Sequence, residues 1–427
     1  MTNWMLLAAM VAPSADPAPK AEPKPVAATR SEIKELLEAH KKATPRLPMP
    51  PADPGNPMAV VNNGAMRAHY LKHLGGQPAA GSREPDPALT LDNTFKVKLF
   101  WIASRANNCY YCLGHQELKL SSAGQTDDQI AALDGDWKAL PEAERVAMAF
   151  AAKFTAQPNA IGPADIEGLK KHYKPEQVSE IVVTVAGYNS TNRWTDGLNI
   201  PGEATGDRFA KAEIKRDFNT FETPTSEKYA GFVTTVAPIA MGEKKTCKPT
   251  PVARPKLETR AEVETAWKVA ADRKPLLPLA EGKEPYWERM LNVFPKSSAS
   301  RIAGLKTAAE KGDLSAKLKA QIAWVAARED RAWYALDVAK TKLKAAGLTD
   351  DQIFGLDANG KDLSEQERLV LAFARKLAVA PATVTDADVE GLRKHYKDRE
   401  VAEIVHHVCN AAFFNRITEA AGLPLDK

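Results

Sequence analysis

The strongest constraint on this chain is that it repeats itself. Residues 124–201 and 347–424 align without a gap at an offset of 223, and 36 of the 78 pairs are identical. The pairs include Glu144-Arg145 with Glu367-Arg368, His172-Tyr173-Lys174 with His395-Tyr396-Lys397, and Asn192-Arg193 with Asn415-Arg416. Further upstream, Thr29-Arg30-Ser31-Glu32-Ile33 matches Thr259-Arg260-Ala261-Glu262-Val263 at an offset of 230. A period above 200 residues is far too long for a solenoid. It predicts one domain written twice, over 29–201 and 259–427, with a connector at 202–258 and a separate leader at 1–28.

The repeated unit reads as helical throughout. Phe95, Leu99, Phe100, Ile102 and Ala103 recur at helical spacing over 93–106, and Thr29 with Glu32 forms a capping box for a helix ending near Lys42. Helices are also expected over 58–73, through the cysteine stretch to about Ser122, and over 142–156, 163–173 and 175–198. No convincing alternating strand is present, so the predicted class is all-α, two tandem helical domains related by a pseudo-two-fold. The connector carries scattered Pro, Thr and Lys, the lone Cys247 and a possible short helix over 210–218.

Composition excludes some functions. Apolar content of 44% and charged content of 26% belong to a globular chain. The net charge is only +4 with both signs interspersed, which gives nucleic acid no basic footprint. No run reaches the ~18 apolar residues of a membrane span. Residues 4–12 are apolar and precede a Pro/Ala/Lys tract, but no basic residue comes before them and no small-x-small cleavage site follows. Export and cytoplasmic residence therefore both stay open, and the 1–28 tract is expected to be an extended, mobile tether.

Four cysteines are too few for a disulfide framework, and two of them sit in Asn107-Asn108-Cys109-Tyr110-Tyr111-Cys112-Leu113-Gly114-His115. On a helix, Cys109, Cys112 and His115 are expected on one face about a turn apart, with Asn107 or Asn108 as the N-cap. A Cys-x-x-Cys at a helix start favours thiolate through the helix dipole, and a neighbouring imidazole can move the proton. The second copy supplies an internal control: at offset 223 it has Ala332, Ala335 and Val338, yet keeps Trp324, Arg328, Tyr334 and Leu336 opposite Trp101, Arg105, Tyr111 and Leu113. The scaffold therefore stands without the thiols. Haem attachment fails because Leu113 follows the second cysteine; zinc lacks an obvious fourth ligand, and inert buried thiols remain the bland alternative. His172 and His395 recur in both copies and read as structural, His406-His407 as surface or interface residues, and Cys409 as a buried thiol.

This stretch, with Ile102-Ala103-Ser104-Arg105 before it and Asn192-Arg193 in the closing helix, resembles the carboxymuconolactone decarboxylase and AhpD-like alkylhydroperoxidase family. The resemblance spans both repeats, with the active motif only in the first. It implies an all-helical fold and a thiol-dependent peroxidase in which Cys112 attacks the peroxide, Cys109 resolves it and His115 shuttles the proton. Its partners would be a hydroperoxide and a dithiol reductant, with no cofactor or metal, no nucleic acid, and a possible homo-oligomer formed by helix packing. A thiol–disulfide exchange module and a non-catalytic interaction protein are the alternatives. The sequence departs from the family twelve residues before Cys109, where a relay glutamate is expected and Val97 stands.

Overall fold

The computed structural model describes residues 22–51, 62–74, 86–135, 137–202, 253–358 and 363–426. Within them the chain is all-α. The first repeat contributes α1 (Arg30–His40), α2 (Asn63–Tyr70), α3 (Asn93–Ala106), α4 (Tyr110–Ser122), α5 (Asp127–Ala131), α6 (Glu142–Ala156), α7 (Pro163–Lys170) and α8 (Pro175–Gly197). The second contributes α9 (Arg260–Ala271), α10 (Tyr286–Leu291), α11 (Pro295–Glu310), α12 (Ala316–Asp330), α13 (Trp333–Ala345), α14 (Asp350–Gly355), α15 (Glu365–Val379), α16 (Asp386–Arg393) and α17 (Asp398–Ala420). Both ends of α4, α6, α7 and α8 recur in α13, α15, α16 and α17 at the offset of 223.

Local chemistry accounts for these starts. The Thr29 hydroxyl accepts the Glu32 amide while Glu32 returns the bond, and Thr259 with Glu262 does the same. Of the helix expected over 58–73, the described part starts at Asn63, capped by Asn62 through the Ala65 amide, and ends at Tyr70, with a 3-10 turn at Lys72–Leu74. Residues 1–21, Cys247 and the 210–218 helix expected in the connector lie outside the described residues.

The two repeats do not keep separate cores. Leu47, Trp194, Leu198 and Ile200 of the first pack with Trp324, Leu371, Ile404 and their neighbours of the second. In return Leu277, Ile417, Ala421 and Leu423 pack with Trp101, Phe150, Ile181 and Val185 of the first. Each such buried side chain contributes about 1.5–3 kcal/mol, so neither half of this exchange is dispensable. At the centre α8 lies along α17, and two buried arginines cross between the copies. Arg193 donates to Ala378 O at 2.6 Å at the end of α15, and Arg416 donates to Phe154 O and Thr155 O, at 3.2 and 3.0 Å, at the end of α6. Each guanidinium thus satisfies helix C-terminal carbonyls of the other copy. Among the described residues no helix is long and apolar enough to cross a membrane.

Candidate functional site

The cysteine stretch forms the junction between two helices. Helix α3 ends in a Schellman motif: the Asn108 amide donates to Arg105 O at 3.1 Å and the Cys109 amide to Ser104 O at 2.8 Å. That closure needs a left-handed residue, and Asn108 takes φ 54°. The second copy repeats the turn with Arg331 at φ 51°. Cys109, rather than Asn107 or Asn108, is the N-cap of α4, and its side chain makes no capping bond. Both asparagines are used elsewhere. Asn107 donates to Asn189 and Asn192 of α8, and Asn108 to Pro25 O at 3.0 Å.

This geometry brings the thiols together on α8. Cys109 Sγ lies 3.1 Å and Cys112 Sγ 3.3 Å from Thr195 Oγ1, and both cysteines are free, buried thiols. Their electrostatics differ in sign. Burial pushes Cys109 well up, aided by the hydrogen bond to Cys112 and by the Asp196 carboxylate. Burial also opposes a Cys112 thiolate, but hydrogen bonds from Cys109, Thr195 and Asn192 outweigh it and hold Cys112 below the ordinary thiol range. Cys112 is the third helical residue of α4, where the amide dipoles favour negative charge.

His115 lies three residues from Cys112, about 60° round the helix, and six from Cys109, the N-cap. At 3.6 residues per turn, six residues rotate a side chain about 120° away from its start. His115 Nδ1 lies 2.9 Å from Tyr111 O, its ring packs 4.5 Å from the Tyr111 ring, and it lines a cleft of about 530 Å³ between α1 and α4. His40, Leu37, Tyr110 and Gly114 also line that cleft. In the second copy the position of Leu37 is Trp267, which fills the equivalent space: its Nε1 donates to Trp333 O at 3.0 Å, Lys340 lies 4.6 Å above its ring, and Trp324 and Phe354 pack against it.

The carboxylate nearest the thiols comes from far away in sequence. Val97 is buried in the core, and Lys96 and Lys98 pair with Glu180 and Glu144. Asp196, on the last turn of α8, is 1% exposed beside Cys109. Burial raises its pKa, opposed by an ion pair to Lys24. Its Oδ2 meets no donor at full bonding geometry, and the Cys109 thiol is a nearby group that favours its ionised form.

Lys24 belongs to the tract expected to be mobile. Residues 22–28 instead lie docked across the start of α4. Pro25 O accepts from Asn108 and from the Tyr110 hydroxyl, Ala27 O accepts from Arg105 at 2.7 Å, and Ala27 is buried. A short segment with little apolar surface is ordered here because the helix junction offers it three donors and a buried carboxylate. The second copy docks its own segment likewise, with Pro255 O accepting from Arg331 and Glu258 O from Arg328.

Sequence reasoning named Cys109, Cys112 and His115 but missed Thr195, Asp196 and Lys24. Thr195 recurs as Thr418, where the hydroxyl serves only helix carbonyls, so repetition alone could not mark it. His406 and His407 are each 9% exposed; His406 meets Arg67 and His73 of the first copy, whereas His407 faces Lys319 and Lys342 of its own, and Cys409 is buried. His172 stands 4.0 Å from Glu142, a peripheral contact. No known family model matches the chain, and no curated protein sequence matches it.

Proposed function

We propose that the first repeat is a thiol-dependent peroxidase that reduces hydroperoxides through Cys112 and Cys109. The observation that carries this reading is that both buried thiols meet the Thr195 hydroxyl, at 3.1 and 3.3 Å, with Cys112 held below the ordinary thiol range and Cys109 above it. The Cys112 thiolate attacks the distal oxygen of a hydroperoxide ROOH; the O–O bond breaks, ROH leaves with a proton, and Cys112 becomes a sulfenic acid. His115, one helical step from Cys112, takes up the thiol proton when Cys112 ionises and returns it to the departing alkoxide. Cys109 then attacks the sulfenic sulfur. The S–S bond forms, and the displaced hydroxide leaves as water with the Cys109 proton, which Asp196 is placed to accept first. A dithiol restores both thiols by two exchange steps and is itself oxidised to a disulfide.

Burial of both thiols favours a small peroxide over a protein disulfide as the oxidant. The second repeat, with alanines at both positions, acts as the packing partner that completes the shared cores. The test is hydroperoxide consumption with dithiothreitol as reductant. Wild type turns over, Cys112→Ser does not, and Cys109→Ser consumes one equivalent and yields a trappable sulfenic acid. Equal rates for wild type and Cys112→Ser refute the reading.

A further inference from the structure

At offset 223 both copies place an acid on the last turn of the closing helix, but not the same acid. The first copy has Asp196 on α8 and the second has Glu419 on α17. The helices beside them also correspond, with α4 opening at Tyr110 and α13 at Trp333. Glu419 caps its neighbour. Its Oε1 accepts the Trp333 amide at 2.6 Å and the Tyr334 amide at 3.5 Å, while its Oε2 pairs with Arg273 at 3.0 Å. Those amides are among the orphan donors that a helix start leaves.

Asp196 is one methylene shorter, and among the described residues no amide of α4 donates to it. Its carboxylate pairs instead with Lys24 and lies beside the Cys109 thiol. The difference has a chemical consequence in the first copy alone, where Cys112 is the third residue of α4 and the second copy has Ala335. A carboxylate seated on the first amides of a helix neutralises the positive end that those amides make. Burial, and then the Asp196 charge, already work against a Cys112 thiolate. A carboxylate reaching the head of α4 would remove part of what favours it. The shorter acid belongs to the copy with the thiols, and the longer to the copy without them.

We propose that Asp196 is a positioning residue that acts through its length: by stopping short of the amides at the head of α4, it leaves their positive end to the Cys112 thiolate. A glutamate at this place would cap the helix, as Glu419 does, at the expense of the thiolate. The role rests on Cys112 working as the peroxidase thiolate and is separate from proton acceptance at Cys109.

The test lengthens the acid. In the full chain, Asp196→Glu should slow alkylation of Cys112 by iodoacetamide about fivefold at pH 7, read on the Cys112 peptide by mass spectrometry, with the pH profile displaced upward. Glu419→Asp is the converse change: it should lower the urea midpoint, because α13 loses its cap, and leave Cys112 alkylation unchanged. Asp196→Asn removes the charge and keeps the length, so Cys112 should react as fast as in wild type or faster. An unshifted profile in Asp196→Glu, slower alkylation in Asp196→Asn, or an unchanged urea midpoint in Glu419→Asp overturns the proposal. Should Asp196→Glu fail to fold, the other two variants decide the matter. Alkylation needs no peroxide, so a wild type that consumes none would refute the peroxidase reading and leave this comparison of profiles standing.

Discussion

Replacing Thr195 by valine removes one hydroxyl and keeps the shape, which isolates the group that both thiols share. That hydroxyl has a single proton, and three acceptors compete for it: Cys112 Sγ at 3.3 Å, Thr191 O at 3.2 Å and Asn192 O at 3.1 Å. A hydrogen bond to a charged group is worth about 1.5–3 kcal/mol, and sharing puts this one at the low end. A loss of ~1.5 kcal/mol corresponds to about a tenfold drop in thiolate population. The rate of Cys112 alkylation by iodoacetamide, followed across pH in Cys109-intact protein, should fall about tenfold at neutral pH, with the profile displaced to higher pH. Stability should change little, because the two helix carbonyls keep their α-helical amide partners. Thr418→Val, the same change in the copy without thiols, is the control and should leave alkylation untouched. Superimposable profiles for wild type and Thr195→Val would show that the hydroxyl does not support the thiolate.

Lys24→Met strands a buried carboxylate and should destabilise the protein by about 3 kcal/mol in urea unfolding; adding Asp196→Asn should restore most of it, and no restoration would mean that the ion pair is not what docks residues 22–28. Arg193→Met and Arg416→Met should cost similar amounts, roughly 2–3 kcal/mol each, because each strands helix-end carbonyls of the other copy; a cost confined to one of them would contradict the reciprocal capping. Leu37→Trp should block the cleft as Trp267 does in the second copy, slowing consumption of cumene hydroperoxide far more than that of hydrogen peroxide, and equal slowing would argue against the cleft as the entry. Burial lowers His40 and His407 from 6.5 to about 3, so the unfolded chain binds their protons first. Their contribution is complete above pH 6.5 and is lost as pH falls towards 3, about 2 kcal/mol per imidazole by pH 5, and His40→Gln should flatten that slope in denaturant titrations at several pH values.

Helices, caps and the repeat were legible because they are written in local spacing. Thr29 and Glu32 announce a helix start by being three residues apart, and a gapless offset of 223 carries the same helix ends into the second copy. The two cysteines were legible for the same reason, as was the contrast with Ala332 and Ala335. Spacing could not tell that Asn108 would close α3 in a left-handed turn and hand the N-cap to Cys109.

What the chain alone determined, then, is an all-helical repeat with one thiol-bearing copy. Tertiary structure decided which groups act on those thiols. Thr195 and Asp196 arrive from a helix more than eighty residues away, and Lys24 from a tract with no folding signal of its own. Each is fixed by burial and by a partner that exists only once α3, α4 and α8 have packed. The charge state of Cys112 depends on distances of about three ångströms between such groups, and sequence spacing does not encode distances across a core.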